Sequence, residues 1–304
     1  MSNSENQLNS YAVLFGAQLA VGAAAIFARY ALAGADPIMV SALRLAIAAI
    51  PLAIVALVKR KMLNSWRDEI ALAIAGLYLG IHFATWLGSL NFISVAASTL
   101  LVSTSPVWTA LYDVTFKRSA KPLSFWVFMI LAAAGAYFVC TVDTKLSPLS
   151  GHEGTGVVLA LVGAFAMAAY LIKVREKMAS YGTLPVIART YTWAAVILLV
   201  AAWLNNCPLP YGDLSVWGGI WGMALISQML GHTGINYSLR HFSTSTVAVS
   251  TLLEPVFAAI LASILFAETL TIKLLFGGVL VLISLCGIIR QDSGSSAKGE
   301  EALL

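Results

Sequence analysis

One carboxylate, Glu254, interrupts an apolar run that extends from Ser243 to Glu268 as STSTVAVSTLLEPVFAAILASILFAE. A bilayer's hydrocarbon core takes about 20 helical residues to cross, and an ionisable group inside it is costly unless it faces protein or water. Pro255 follows directly, removing a backbone donor and opening the helix beside the acid. Two readings of Glu254 stand: a site on a solute path with proton coupling as its chemistry, or a structural carboxylate satisfied by a neighbouring helix. A second proline, Pro106, has a similar setting. Ser103, Thr104 and Ser105 precede it as Ser250 and Thr251 precede Pro255. Hydroxyls beside a proline take up freed carbonyls or bind a polar solute, and Ser103 is the candidate for the second role.

Tyr78, His82 and Trp86 recur at every fourth position, as do Gln228, His232 and Asn236, so each trio is expected to form one stripe on its helix. These six are too polar to face lipid. They are expected to line a central cavity suited to an amphiphilic metabolite, the alternative for each single residue being packing. Arg29, Arg44 and Arg189 fall near helix ends, where they snorkel to the interface or, on the sharper reading, gate the path or attract an anionic solute. Cys140, Cys207 and Cys286 have no ligand spacing. The chain lacks HExxH, GxSxG and GxxxxGK[ST], so no metal, cofactor or nucleotide hydrolysis is expected. An intramembrane enzyme using His82, His232 and Glu254 is the competing class, and a receptor or scaffold the third.

The elements that must position these groups are all apolar helices. With 60% hydrophobic and 11% charged residues, the chain departs far from a soluble globule, in which about 25% are charged. Ten membrane helices are expected. The net charge of +4 does not signal nucleic acid, because its basic residues cluster in alternate loops. Lys59, Arg60, Lys61, Arg67, Lys117, Arg118, Lys121, Lys173, Arg175, Lys177, Arg240, Arg290 and Lys298 fall on one side, against Lys145 and Lys273 on the other. By the positive-inside rule both termini are expected in the cytoplasm.

The chain also repeats itself. SLNFISVAASTLLVSTSPVWTAL from Ser89 aligns without a gap on SLRHFSTSTVAVSTLLEPVFAAI from Ser238, matching Ser94 to Ser243 and Pro106 to Pro255. Five helices separate equivalent positions, and five is odd, so the second copy is inverted. Inverted repeats mark secondary transporters that alternate access around a site at mid-membrane. The expected layout is a cytoplasmic N-terminus over 1–10, repeats over 11–141 and 154–290, an external linker over 142–153 and a disordered tail over 291–304.

The stretches AAIFARYALAGADPIMVSALRLAIAAI, with Arg44, and STLLEPVFAAILASILFAETLT, with Glu254, Pro255, Glu268 and Thr271, resemble the drug/metabolite transporter superfamily, specifically its EamA-type members. The resemblance implies an all-α basket of two inverted five-helix repeats, with a central cavity built mainly by helices one, three, four, six, eight and nine. Relatives in that superfamily move amino acids, sugars, nucleotide sugars, nucleobases and other metabolites, frequently outward. The expected activity is export or exchange of an amino acid or related compound across the cytoplasmic membrane, with another metabolite class as the alternative. The expected partners are that small molecule and the lipid bilayer. Monomer and dimer are both compatible with the sequence.

Overall fold

A computed structural model describes residues 2–301 apart from 62, 64, 141–151, 213 and 267–270. Most of the expected linker, the end of the tail and Glu268 therefore lie outside the described residues. The helices in order are α1 (Leu8–Ala31), α2 (Pro37–Val58), α3 (Trp66–Ser89), a broken α4 (Val95–Val102 and Ser105–Thr115) and α5 (Leu123–Cys140). Then come α6 (Glu153–Tyr181), α7 (Thr183–Leu204), α8 (Leu214–Ser238), α9 (Thr244–Leu265) and α10 (Ile272–Glu301). Seven of these are long and apolar enough to cross a membrane, and α4, α5 and α10 complete the expected ten.

Local chemistry sets several starts. Asp36 caps α2, its carboxylate accepting from the Ile38 amide at 2.8 Å with Pro37 in the first turn, where a missing N–H costs nothing. Ser94 and Ser243 cap α4 and α9 in the same way, at 3.2 and 3.1 Å, as their repeat relationship predicts. Gly182 turns α6 into α7 at φ +75°, a conformation glycine adopts without a Cβ penalty.

The first helix of each repeat packs into the other repeat. α1 lies against α8 and α9, while α6 lies against α3 and α4. α2 packs on α7, and α5 pairs with α10 at the periphery. The close approach at Gly22 brings α1 onto the middle of α9, since a Cβ there would stand 2.9 Å from the Phe257 Cβ and 3.1 Å from the Glu254 carbonyl. Two apolar cores result, one around α2, α3, α6 and α7 and one around α5, α9 and α10.

The ends depart from expectation. The N-terminal segment is helical from Ser2, and the stretch expected as a disordered tail continues α10 to Glu301. Extending an existing helix avoids the nucleation cost, and Ala297, Lys298, Glu300 and Glu301 are good helix formers.

Candidate functional site

Helices from both repeats line a central cleft of about 570 Å³, its open mouth included. His82, Phe83 and Trp86 of α3 face Thr99, Ser103 and Ser105 of α4, Met167 of α6, His232 of α8 and Thr251 and Glu254 of α9. Gly22, Ala24 and Ala25 of α1 complete the wall, leaving it mostly apolar with a few placed polar groups. His82 Nδ1 lies 2.9 Å from the Gly163 carbonyl. A carbonyl only accepts, so Nδ1 carries a proton and donates it to this bond. His232 sits 6.3 Å from His82, ring to ring, with Phe83 at 5.0 Å from His232.

Both proline-marked helices break at the depth of this cleft. α4 opens at Ser103 and Thr104, and α9 passes through a tight turn, Thr251–Leu253, before Glu254 restarts the helix. Most nearby hydroxyls serve the backbone: Thr104 donates to Leu101 at 2.6 Å, Ser250 to Val247 at 2.7 Å and Thr251 to Ala248 at 2.7 Å. Ser103 differs. Its Oγ is buried without a partner on the cleft wall, free for a polar solute. Glu254 lines the same wall, and no ion pair among the described residues engages it.

The sequence model of the EamA-like transporter family matches residues 8–141 and again residues 154–290. The chain belongs to that family. It is similar to an uncharacterized transporter of Archaeoglobus fulgidus, 26% identical over 276 residues, covering 86% of this chain and 92% of that one. It is also similar to the uncharacterized transporter YyaM of Bacillus subtilis, 26% identical over 93% of this chain and 95% of YyaM. A solved crystal structure superposes with a TM-score of 0.77 at 14% identity, covering 94% of this chain and 98% of that chain, which shows the fold. The fold is the expected EamA-type basket, and the chain is a multi-pass membrane transporter.

Within this EamA-like transporter the two stripes divide. His82, Trp86, Ser103 and His232 share the cleft, but Tyr78 lines a separate groove with Trp108, Tyr112, Phe165 and Lys173. Eight residues along an α-helix advance the side chain by about 80° around the axis, enough to turn Tyr78 away from Trp86's cavity. Gln228 and Asn236 are wholly buried behind His232 and do not reach the cleft. Asn236 receives the Tyr170 hydroxyl at 2.9 Å and donates to the His232 carbonyl at 2.7 Å, so Tyr170 of α6 holds that helix in place. The part of α8 carrying Gln228 and His232 is a π-helix, Met223–His232, which hydrophobic periodicity did not announce.

The arginines also divide. Arg29 is exposed at the end of α1, and Arg189 lies 3.6 Å from Glu69, both compatible with the interface. Arg44 does not snorkel: it is fully buried, with Nη2 donating to Gln228 Oε1 at 3.0 Å and its guanidinium 3.9 Å over the Phe83 ring. The sequence reading passed over Gln18, which crosses from α1 to Ser250 at 2.6 Å. A lone amide inside an apolar span was the available signal.

Proposed function

We propose that this EamA-like transporter moves an amino acid or closely related metabolite across the cytoplasmic membrane, outward or in exchange, by alternating access. Both termini lie in the cytoplasm on this reading. The observation that supports it most is Glu254, the one carboxylate among the residues lining the cleft, set at a helix break with no cation paired to it. A carboxylate in that position suits a solute's ammonium group or a transported proton, with His82 and His232 as secondary carriers. Trp86 and Phe83 supply the apolar wall for a side chain.

The test is efflux of a labelled amino-acid panel from liposomes, with and without a pH gradient, for wild type and Glu254→Gln. Saturable flux that responds to the gradient in wild type and ignores it in the variant is expected. Flux with the same gradient response in both proteins would make Glu254 structural. Flux of sugars or nucleobases but of no amino acid would refute the solute class.

A further inference from the structure

Arg44 is the largest fully buried side chain among the described residues, and the acceptor it meets there is a neutral amide, Gln228. Nε and Nη1 are buried without acceptors, and no ion pair engages the guanidinium among the described residues. A cation taken out of water is strongly disfavoured unless an anion or several acceptors replace the lost hydration. The polar groups around it are incomplete too. Gln228 Nε2, Ser227 Oγ and His232 Nδ1, all on the π-helical part of α8 that packs against α2, are buried and unpartnered. Three side chains with unused hydrogen-bonding atoms therefore belong to the segment packed on the helix that carries this charge. Such a gathering fits a missing anionic ligand better than a finished core, because native interiors leave few polar atoms unsatisfied.

The geometry points to a route. The guanidinium carbon stands 3.9 Å from the centre of the Phe83 ring, and Phe83 itself lines the central cleft with His82 and His232. One aromatic ring separates the charge from the solute space. We propose that Arg44 binds the carboxylate of the transported solute, with Phe83 swinging aside to admit it. This assignment rests on the transport reading above and names the group recognised. Glu254 lines the same cleft as Phe83, and no ion pair joins it to Arg44 among the described residues. A solute that carries an ammonium and a carboxylate bridges the two. Arginine suits the task because it stays charged when desolvated and offers several fixed donors to a carboxylate.

Detergent-purified protein is heated in the presence of phenylalanine, leucine, threonine and histidine, each beside its carboxamide, its decarboxylated amine and its N-acetyl derivative. The expected result is a stabilising shift from at least one acid, with its carboxamide needing roughly tenfold more ligand or above for the same shift, the loss typical of a charged hydrogen bond. Arg44→Gln is expected to level acid and amide, and Arg44→Lys to restore part of the preference. The comparison in wild type requires no variant, so equal shifts there overturn the assignment even if Arg44→Gln fails to fold, and the weakened preference expected of Arg44→Lys then tests the residue itself. An N-acetylated acid that binds as well as the free acid keeps the Arg44 assignment and removes the ammonium role of Glu254. Equal shifts from acid and carboxamide overturn the Arg44 assignment, as does an acid preference that survives in Arg44→Gln. Absence of a shift from every carboxylate also overturns it, while flux of a neutral solute would leave transport itself standing.

Discussion

The two ends of the helix bundle are held in different ways. At the end carrying the basic loops lie all four ion pairs found among the described residues: Asp113 with Lys117 and Lys121, Asp68 with Lys177, and Glu69 with Arg189. Asp113 of α4 also accepts from Ser245 of α9 at 2.8 Å, and Arg175 of α6 donates to the Phe242 carbonyl at 2.9 Å. At the opposite end the ties between separate segments include a backbone bond, Tyr211 N–H to the Gly34 carbonyl at 2.9 Å, and no ion pair is found there among the described residues. The repeat explains the contrast. Under the alignment of Pro106 with Pro255, Asp113 corresponds to Ala262 and Ser245 to Ala96, so the polar tie between α4 and α9 has no mirror image. The cleft reaches from mid-depth toward the opposite end, through Trp86, Thr99 and Ala258. The scaffold was duplicated with its caps and prolines, and charge then made one end the better closed.

Asp113→Ala offers the largest break in that contrast. It removes about 2 kcal/mol of charge-assisted bonding between α4 and α9. Ser103→Cys, in a background with Cys140, Cys207 and Cys286 replaced by serine, reports access to the cleft through maleimide labelling. Labelling from the basic end is expected to rise by roughly tenfold or more with Asp113→Ala. An unchanged rate would show that Asp113 does not close that end.

Gly34→Ala probes the other end with a smaller effect. A Cβ on Gly34 would stand 2.0 Å from the Tyr211 carbonyl oxygen, so the 205–212 loop must shift. Overpacking of this kind costs about 1–3 kcal/mol, and the variant should unfold several degrees below wild type. Gly16→Ala, whose new Cβ meets nothing within 4 Å inside α1, is the control expected to melt with wild type or slightly above it. Equal melting of all three proteins would mean that the Gly34 contact holds nothing.

The contrast also marks how far the sequence could be read. Ten apolar helices, two repeats and the breaks at Pro106 and Pro255 follow from spacing and helix chemistry, and each is present. His82, Trp86, Ser103 and His232 could be placed together because short-range helical geometry carries them to one depth. Tyr78 leaves that set because eight helical residues add about 80° around the axis, which turns it into the groove with Phe165 and Lys173 of α6. The inward fold of Arg44 depends on Phe83 and on Gln228, which is 184 residues away in the chain. No local pattern encodes such a pairing. The same holds for Ser245, whose role at the basic end appears only once α4 and α9 cross.

Salt should sharpen the comparison with the smallest effect. Raising ionic strength from about 0.15 M to about 1 M shortens the screening length from roughly 8 to 3 Å. The outer pairs are exposed to this, with 46% of the Lys117 side chain and 36% of Arg189 accessible, and pairs of that kind contribute little even at low salt. The Asp113–Lys121 contact is more sheltered, at 3.0 Å with 11% and 16% of the two side chains accessible, and is screened less. Wild-type labelling of Ser103→Cys from the basic end should therefore rise by no more than about threefold in high salt, a change under 1 kcal/mol. In the Asp113→Ala background the rate should respond less, because both Asp113 pairs have gone and only the pairs of Glu69 and Asp68 remain to be screened. A salt response in wild type as large as the effect of Asp113→Ala would assign closure to the diffuse charge of the basic loops. The sheltered bond between α4 and α9 would then be a consequence of closure, and the absence of its mirror image would no longer explain why the two ends differ.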